Sequence, residues 1–278
     1  MQGSTVVITG ATSGIGEVAA DRLAAKGARI VFVARDKSRG EETLKHLRAI
    51  APDAAHAVYY ADLSRLRETK RVASQIAAAE PAIDVLINNA GAMFSTRKLT
   101  EDGLEMTFAT NHMSYFVLTL CLKHRLAARG RIVSTASDAH KGAKLDFEDL
   151  QSAKRYSTYG VYGRSKLCNI LFNRELARRL DGTGITANCL HPGFVASRLG
   201  DQSGGVFSLA VRAAKTFAIS PEEGAQTVIY LASSPDVADI SGGYYYRCRP
   251  AVPSKEAQND ADARRLWEMS ERLGGLAN

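Results

Sequence analysis

What the sequence has little of narrows it first. Its four cysteines, Cys121, Cys168, Cys189 and Cys248, are far apart and form no Cys-x-x-Cys pair. Its six histidines show no His-Glu-x-x-His or other ligand spacing. Both patterns count against a disulfide framework and a structural metal, and leave buried free thiols as the expectation. Long apolar runs are lacking too. The longest, Tyr115 to Leu122, is far short of the ~20 residues that span a bilayer, so no transmembrane segment is expected. The chain enters an apolar strand within three residues of Met1, leaving no room on this reading for a charged leader. A reducing, cytoplasmic setting is the expectation.

Runs of one charge are also missing. Lys and Arg number 36 against 29 Asp and Glu, a net charge of +7, yet no stretch of five or six like charges occurs. Basic residues gather only locally, at Lys123-His124-Arg125 through Arg129 and Arg131, and at Arg178-Arg179. With no zinc-finger, RNA-binding or basic-zipper signature beside them, nucleic acid is not an expected partner. A solvated basic surface that favours an anionic cofactor fits better. The 23 glycines carry no three-residue period, and 45% hydrophobic with 23% charged residues is a globular balance.

What is present alternates. Short β-branched runs lie at Thr5–Thr9, Arg29–Ala34, His56–Tyr60, Ile83–Asn88, Arg131–Thr135 and Ile185–Leu190. Between them stand segments of helical period, such as Gly16–Lys26, Lys37–Ile50 and Leu66–Ala79. Apolar strands alternating with helices imply a parallel sheet covered on both faces. The expected fold is α/β: a Rossmann-type doubly wound parallel sheet of about seven strands, order 3-2-1-4-5-6-7, with helices on both faces. No linker, repeat or composition shift divides residues 1–278, so a single domain is expected.

The first strand runs into Thr9-Gly10-Ala11-Thr12-Ser13-Gly14-Ile15-Gly16 and then a helix. Such glycines allow a tight turn and let the backbone approach a pyrophosphate at the helix N-terminus. The spacing Gly-x-x-x-Gly-x-Gly has one residue more than the usual dinucleotide fingerprint. The second strand ends Val33-Ala34-Arg35-Asp36. Arg35 stands where an acidic residue would bind a ribose 2′-hydroxyl, and Lys37 and Arg39 follow it. This favours the 2′-phosphate of NADP over NAD. Asp36 either caps the next helix or contacts ribose, and both readings stay open.

Tyr162-Gly163-Arg164-Ser165-Lys166 puts a phenol and an ammonium four residues apart, on one helix face. The ammonium favours the phenolate, lowering a pKa of about 10. Such a tyrosine exchanges a proton with a carbonyl or alcohol oxygen. Tyr156 and Tyr159 have Gly160 and Gly163 as fourth neighbours, so only Tyr162 qualifies.

Together the motifs resemble the short-chain dehydrogenase/reductase family. The matching residues are Thr9-Gly10-x-x-x-Gly14-Ile15-Gly16, Asp62-Leu63, Asn88-Asn89-Ala90-Gly91, Asn111, Ser137, Tyr162-x-x-x-Lys166 and His191-Pro192-Gly193. Val33-Ala34-Arg35-Asp36, the stretch Asp149-Leu150-Gln151-Ser152 through Ser157, and the tail from Ser241-Gly242 to Leu266-Trp267-Glu268 are similar to its retinol-dehydrogenase-like branch.

The resemblance implies a catalytic set of Asn111, Ser137, Tyr162 and Lys166. Tyr162 would be the general acid in reduction and the base in oxidation. Lys166 would lower its pKa and bind the nicotinamide ribose, Ser137 would hydrogen-bond the substrate oxygen, and Asn111 would hold a water of a proton relay. Ser137 is preferred to Ser134, because its 25-residue spacing to Tyr162 and the following His140 match this branch. For the cofactor, NADP(H), the resemblance implies Gly10, Thr12, Ser13, Gly14, Ile15 and Gly16 at the pyrophosphate, and Arg35 at the 2′-phosphate. Asp62 would meet the adenine amine with Leu63 packed nearby, and Asn89, Ala90 and Gly91 would line the ribose. Pro192, Gly193 and Val195 would border the nicotinamide, with Ser197 near the carboxamide or pyrophosphate. Asn88 would tie neighbouring strands together.

Gly204–Ile219 is amphipathic, with apolar Val206, Phe207, Leu209, Ala210, Ala213, Ala214 and Phe217 around Arg212 and Lys215. It sits where the family has a substrate lid, about 198–219. A core helix and a membrane-surface helix are the other readings. Alternation points Tyr244 and Tyr246 one way and Tyr245 the other; sheet packing is their expected role, with closure of the substrate cavity by at least one as the other reading, and Trp267 is the expected anchor of a C-terminal helix. The implied activity is an NADP-dependent interconversion of a lipophilic aldehyde or ketone with its alcohol. The alternative is a non-catalytic NADP-binding regulatory or scaffolding protein. Many family members pair through the helices holding Asn111 and Tyr162, so a homodimer or homotetramer is open.

Overall fold

A computed structural model describes residues 1–195 and 219–276. Its strands are β1 (Thr5–Thr9), β2 (Arg29–Ala34), β3 (Ala57–Tyr60), β4 (Ile83–Asn88), β5 (Leu126–Thr135), β6 (Thr186–Leu190), β7 (Tyr244–Tyr246) and β8 (Arg249–Pro250). The helices are α1 (Gly14–Ala25), α2 (Lys37–Ile50), α3 (Leu66–Ala79), α4 (Met106–Phe108), α5 (Ser114–Leu122), α6 (Thr158–Arg179), α7 (Pro221–Ser233) and α8 (Asp260–Gly274).

All eight strands form one sheet of order β3-β2-β1-β4-β5-β6-β7-β8. The first seven are parallel in the expected order, and β8 adds an antiparallel edge to β7. β5 begins at Leu126 rather than Arg131, because a register shift between Ile83 and Val85 lets an earlier stretch pair with β4. Charged Arg129 and Arg131 conceal that extension from an alternation test. His56 stays outside β3 because its ring Nδ1 accepts the Ile30 N–H at 2.9 Å, replacing a main-chain partner.

Strand side chains alternate between two buried faces. From β1, Val7 joins a core with α3, α5, α6 and α8, while Val6 and Ile8 join one with α1, α2 and α7. Tyr244 and Tyr245 divide the same way, as their alternation predicts. Trp267 on α8 lies edge-on to Phe116 of α5 at 5.0 Å and stacks on Phe172 of α6 at 5.8 Å. The C-terminal helix is thereby fixed across α5 and α6. Among the described residues, no helix is long and apolar enough to cross a membrane.

Chain order reverses between β1 and β4, and at this switch point the strand C-termini open a crevice.

Candidate active site

At the β1 end, Gly10 has φ +72°. A Cβ on Gly16 would stand 2.1 Å from the Gly10 carbonyl oxygen, so only glycine lets α1 start this close to the strand. Thr9 Oγ1 accepts the N–H groups of Asn89 and Ala90, both at 3.0 Å. Asn89 Nδ2 donates to the carbonyls of Thr9 and Gly10 at 3.3 and 3.4 Å, and its Oδ1 accepts from Thr135 Oγ1 at 3.2 Å. Asn89 therefore fastens the glycine turn to β4 and β5, which its motif position did not disclose. Asn88, fully buried, donates instead to Thr119 Oγ1 on α5 at 2.9 Å. It ties β4 to a helix rather than to a neighbouring strand, because this strand-end amide points onto the helical layer.

Arg35 lies at the end of β2 and Arg39 one turn into α2, where Arg39 Nη2 donates to the Thr12 carbonyl at 2.6 Å. Two guanidinium groups thus face the same end of the crevice. Asp36 Oδ1 accepts the Arg39 N–H at 2.9 Å, so Asp36 caps α2. Asp62 follows β3 and accepts from Ser64 N at 3.0 Å and Ser64 Oγ at 2.8 Å.

At the other end, β5 delivers Ser137 and α6 presents Tyr162 and Lys166 one turn apart. Lys166 Nζ donates to the Thr135 carbonyl at 3.0 Å and lies 5.7 Å from the Tyr162 ring centroid. The Ser137 hydroxyl lies beside the Tyr162 phenol and draws its pKa downward. Asn111 sits in a π-helical turn, Ala109–Met113, joining α4 to α5. Such turns re-aim side chains and recur at functional sites. Its Nδ2 donates to Ala92 O at 3.0 Å and Ser165 Oγ at 2.9 Å, while Oδ1 accepts from Ala92 N at 2.8 Å. Both amide hydrogens are taken, so Oδ1 is the side-chain atom left for a relay water. A Cβ on Gly91 would stand 3.4 Å from that Oδ1 and 3.5 Å from Lys166 Nζ, so glycine keeps the passage between them open.

Burial sets the protonation of this cluster. It pushes the Tyr162 phenol up to about 12, against the pull of the Ser137 hydroxyl, and brings the Lys166 ammonium down to about 7. The phenol is therefore not lowered as an isolated Tyr–Lys pair would suggest, because burial is the largest influence on both groups.

Lys166 makes the fold pH-dependent. Its folded pKa lies below its unfolded one, so the unfolded chain binds more protons between the two values. Stability must rise with pH across that window. In denaturant titrations from about pH 7 to about pH 9, wild type should therefore gain on Lys166→Met. An unchanged difference would mean that the buried ammonium is already compensated.

The crevice encloses about 1140 Å³. Of the residues expected in the site, Gly14 and Asn111 do not line it: Gly14 serves the turn, with φ +59°, and Asn111 stands behind Gly91. Ser197 and nearly all of the expected lid lie outside the described residues. Ile219 is described, and its N–H donates to the Phe194 carbonyl at 2.9 Å. The remaining lining has large apolar and aromatic side chains, Met93, Phe94, Met106, Tyr159, Phe194 and Tyr246, beside polar Thr110, Asp138 and His191. Tyr159 and Phe194 are 60% and 57% exposed at the crevice mouth. Tyr246, on β7, belongs to the tyrosine run that the sequence singled out; the other apolar and aromatic ones come from loops and helix starts without a fixed spacing, so motifs could not find them.

A family model described as short chain dehydrogenase matches residues 4–204. Retinol dehydrogenase 14 of Mus musculus is 42% identical to the chain, over 99% of it and 87% of the relative. Retinol dehydrogenase 13 of Homo sapiens is 39% identical, over 99% and 85%. A crystal structure of an uncharacterized protein from Mycobacterium Paratuberculosis superposes with a TM-score of 0.80 at 33% identity, covering 99% of this chain and 94% of that one. A short chain dehydrogenase from Burkholderia cenocepacia J2315 in complex with NADP has a TM-score of 0.70 at 26% identity, covering 87% and 95%. The chain belongs to the short-chain dehydrogenase/reductase family, in its retinol-dehydrogenase-like branch, and is an oxidoreductase of alcohol and carbonyl groups that uses a nicotinamide dinucleotide.

Proposed function

We propose that the protein interconverts a lipophilic aldehyde or ketone and its alcohol with NADP(H), with Tyr162 as general acid and base. The observation that carries this reading is one crevice with two guanidinium groups at one end and the Ser137–Tyr162–Lys166 cluster at the other. The dinucleotide fits: the Gly10–Gly16 turn is a cradle that a side chain at Gly16 would block. Arg35 and Arg39 suit the dianionic 2′-phosphate. When bound, the nicotinamide supplies or accepts the hydride.

The chain's own residues supply the rest. Ser137 and Tyr162 present two hydroxyl donors to the substrate oxygen, where negative charge develops during reduction. Tyr162, holding its proton through neutral pH, donates it to that oxygen. Lys166 and Asn111, close together across Gly91, form the path by which that proton is replaced. Met93, Phe94, Met106 and Phe194 exclude water and favour an apolar substrate body. The names of the mouse and human relatives point the same way, to a lipophilic alcohol. The complete Asn111, Ser137, Tyr162 and Lys166 set favours catalysis over a non-catalytic binding role.

Cofactor choice tests the reading. Arg35→Ala removes a charge-assisted contact of roughly 1.5–3 kcal/mol. The KM for NADPH should therefore rise about tenfold or more, with the KM for NADH little changed. Equal shifts for both cofactors would remove Arg35 from the 2′-phosphate site.

A further inference from the structure

His140 is fully buried, three residues after Ser137, and both of its ring nitrogens are engaged. Nδ1 lies 2.7 Å from the Ser137 carbonyl oxygen, which can only accept. Nε2 lies 3.0 Å from the main-chain nitrogen of Ser254, which can only donate. The two contacts are satisfied together by one species, the neutral imidazole with its proton on Nδ1. Burial lowers the ring's pKa, in keeping with that form. The ring packs edge-on with Tyr244, their centroids 5.4 Å apart.

The two ends of this bridge differ. On one side is the Ser137 turn, whose hydroxyl accepts the Ala139 N–H at 3.2 Å and lines the crevice together with Tyr162. On the other is the segment after β8, held where Ser254 Oγ accepts the Ala257 N–H at 3.4 Å. We propose that His140 is a positioning residue, which as an Nδ1–H imidazole locks the Ser137 carbonyl to the main chain at Ser254 and so aims the Ser137 hydroxyl at Tyr162. This rests on the catalytic reading of Ser137 and Tyr162.

Two amide variants separate the ends of the bridge. His140→Asn places its amide near the Nδ1 position and keeps the donor to Ser137, whereas His140→Gln reaches toward Ser254 and loses that donor. His140→Leu keeps neither. Each is assayed for NADPH-dependent reduction of a long-chain aldehyde and for the pH profile of the reverse alcohol oxidation, beside wild type and Tyr162→Phe. A shift of the serine by about 1 Å costs on the order of a hundredfold. The expected result is a kcat loss of about ten- to a hundredfold in His140→Gln and His140→Leu, with the KM for NADPH unchanged and most activity kept in His140→Asn.

In the first two variants the alkaline rise of alcohol oxidation should also move to higher pH. Tyr162 loses the neighbouring hydroxyl that holds its pKa down, and a space-filling role would not shift that rise. Equal loss in all three variants, in step with melting temperature and with an unmoved pH profile, would overturn the proposal. If His140→Leu does not fold, the Asn–Gln comparison decides alone. Wild-type turnover that does not depend on Tyr162 would instead overturn the underlying catalytic reading.

Discussion

Tyr162→Phe is expected to lower kcat for carbonyl reduction about a thousandfold, within the 10²–10⁴ range of positioned acid–base groups, while NADPH binding stays nearly unchanged. The substitution removes one oxygen and keeps the ring that packs against the cluster. That oxygen is the acid in reduction, and burial suits it to this role. With its pKa raised to about 12, the phenol stays protonated across neutral pH. The phenol itself should accordingly add no pH dependence to reduction in that range. Alcohol oxidation needs the phenolate and should rise as the solution becomes alkaline. Stopped-flow absorbance of NADPH with an aliphatic aldehyde measures the loss directly. A variant that keeps more than a tenth of wild-type kcat would assign the proton to another group.

The second large effect is on stability. Trp267→Ala removes a 4% exposed indole from between Phe116 and Phe172, together with the platform for the Arg179 guanidinium 4.4 Å above its ring. Truncating a buried Trp to Ala costs roughly 3–5 kcal/mol, because the surrounding rings close the cavity only in part. For a chain of this size the melting temperature should fall by about 5–9 °C. The loss has a location as well. α8 is held through this ring, so amide exchange in Asp260–Gly274 should quicken before that of β1 or β4. A fall of less than about 2 °C would mean that α8 docks by other contacts.

How much of this was legible in the sequence follows from how each feature is encoded. Buried parallel strands write themselves as continuous apolar runs, so β1, β2 and β4 have the expected ends. β5 does not, because its first half carries Ala127, Ala128, Arg129 and Gly130 at a sheet end where only pairing, not burial, defines a strand. The glycine turn and the Tyr162–Lys166 pair were legible because sterics and helical period fix their spacing. The capping role of Asp36 could be resolved only in three dimensions, where its Oδ1 accepts the Arg39 N–H.

The apolar part of the lining was hidden for a different reason. Met93, Phe94 and Phe194 stand on loops, where side-chain direction follows tertiary packing rather than period. The pair formula also misjudged protonation at Tyr162 and Lys166. Spacing records the neighbouring charge, whereas the dominant effect here is loss of water, which sequence distance does not encode.

The central claim is hydride transfer from NADPH to a lipophilic carbonyl in this crevice. It is tested most directly with NADPH deuterated at C4 on each face in turn, a long-chain aldehyde and mass analysis of the alcohol. The account predicts one deuterium on the carbinol carbon from one of the two labelled cofactors, with transfer from NADPH preferred over NADH and abolished in Tyr162→Phe. Alcohol that forms without the label, or that takes it equally well in Tyr162→Phe, would contradict it.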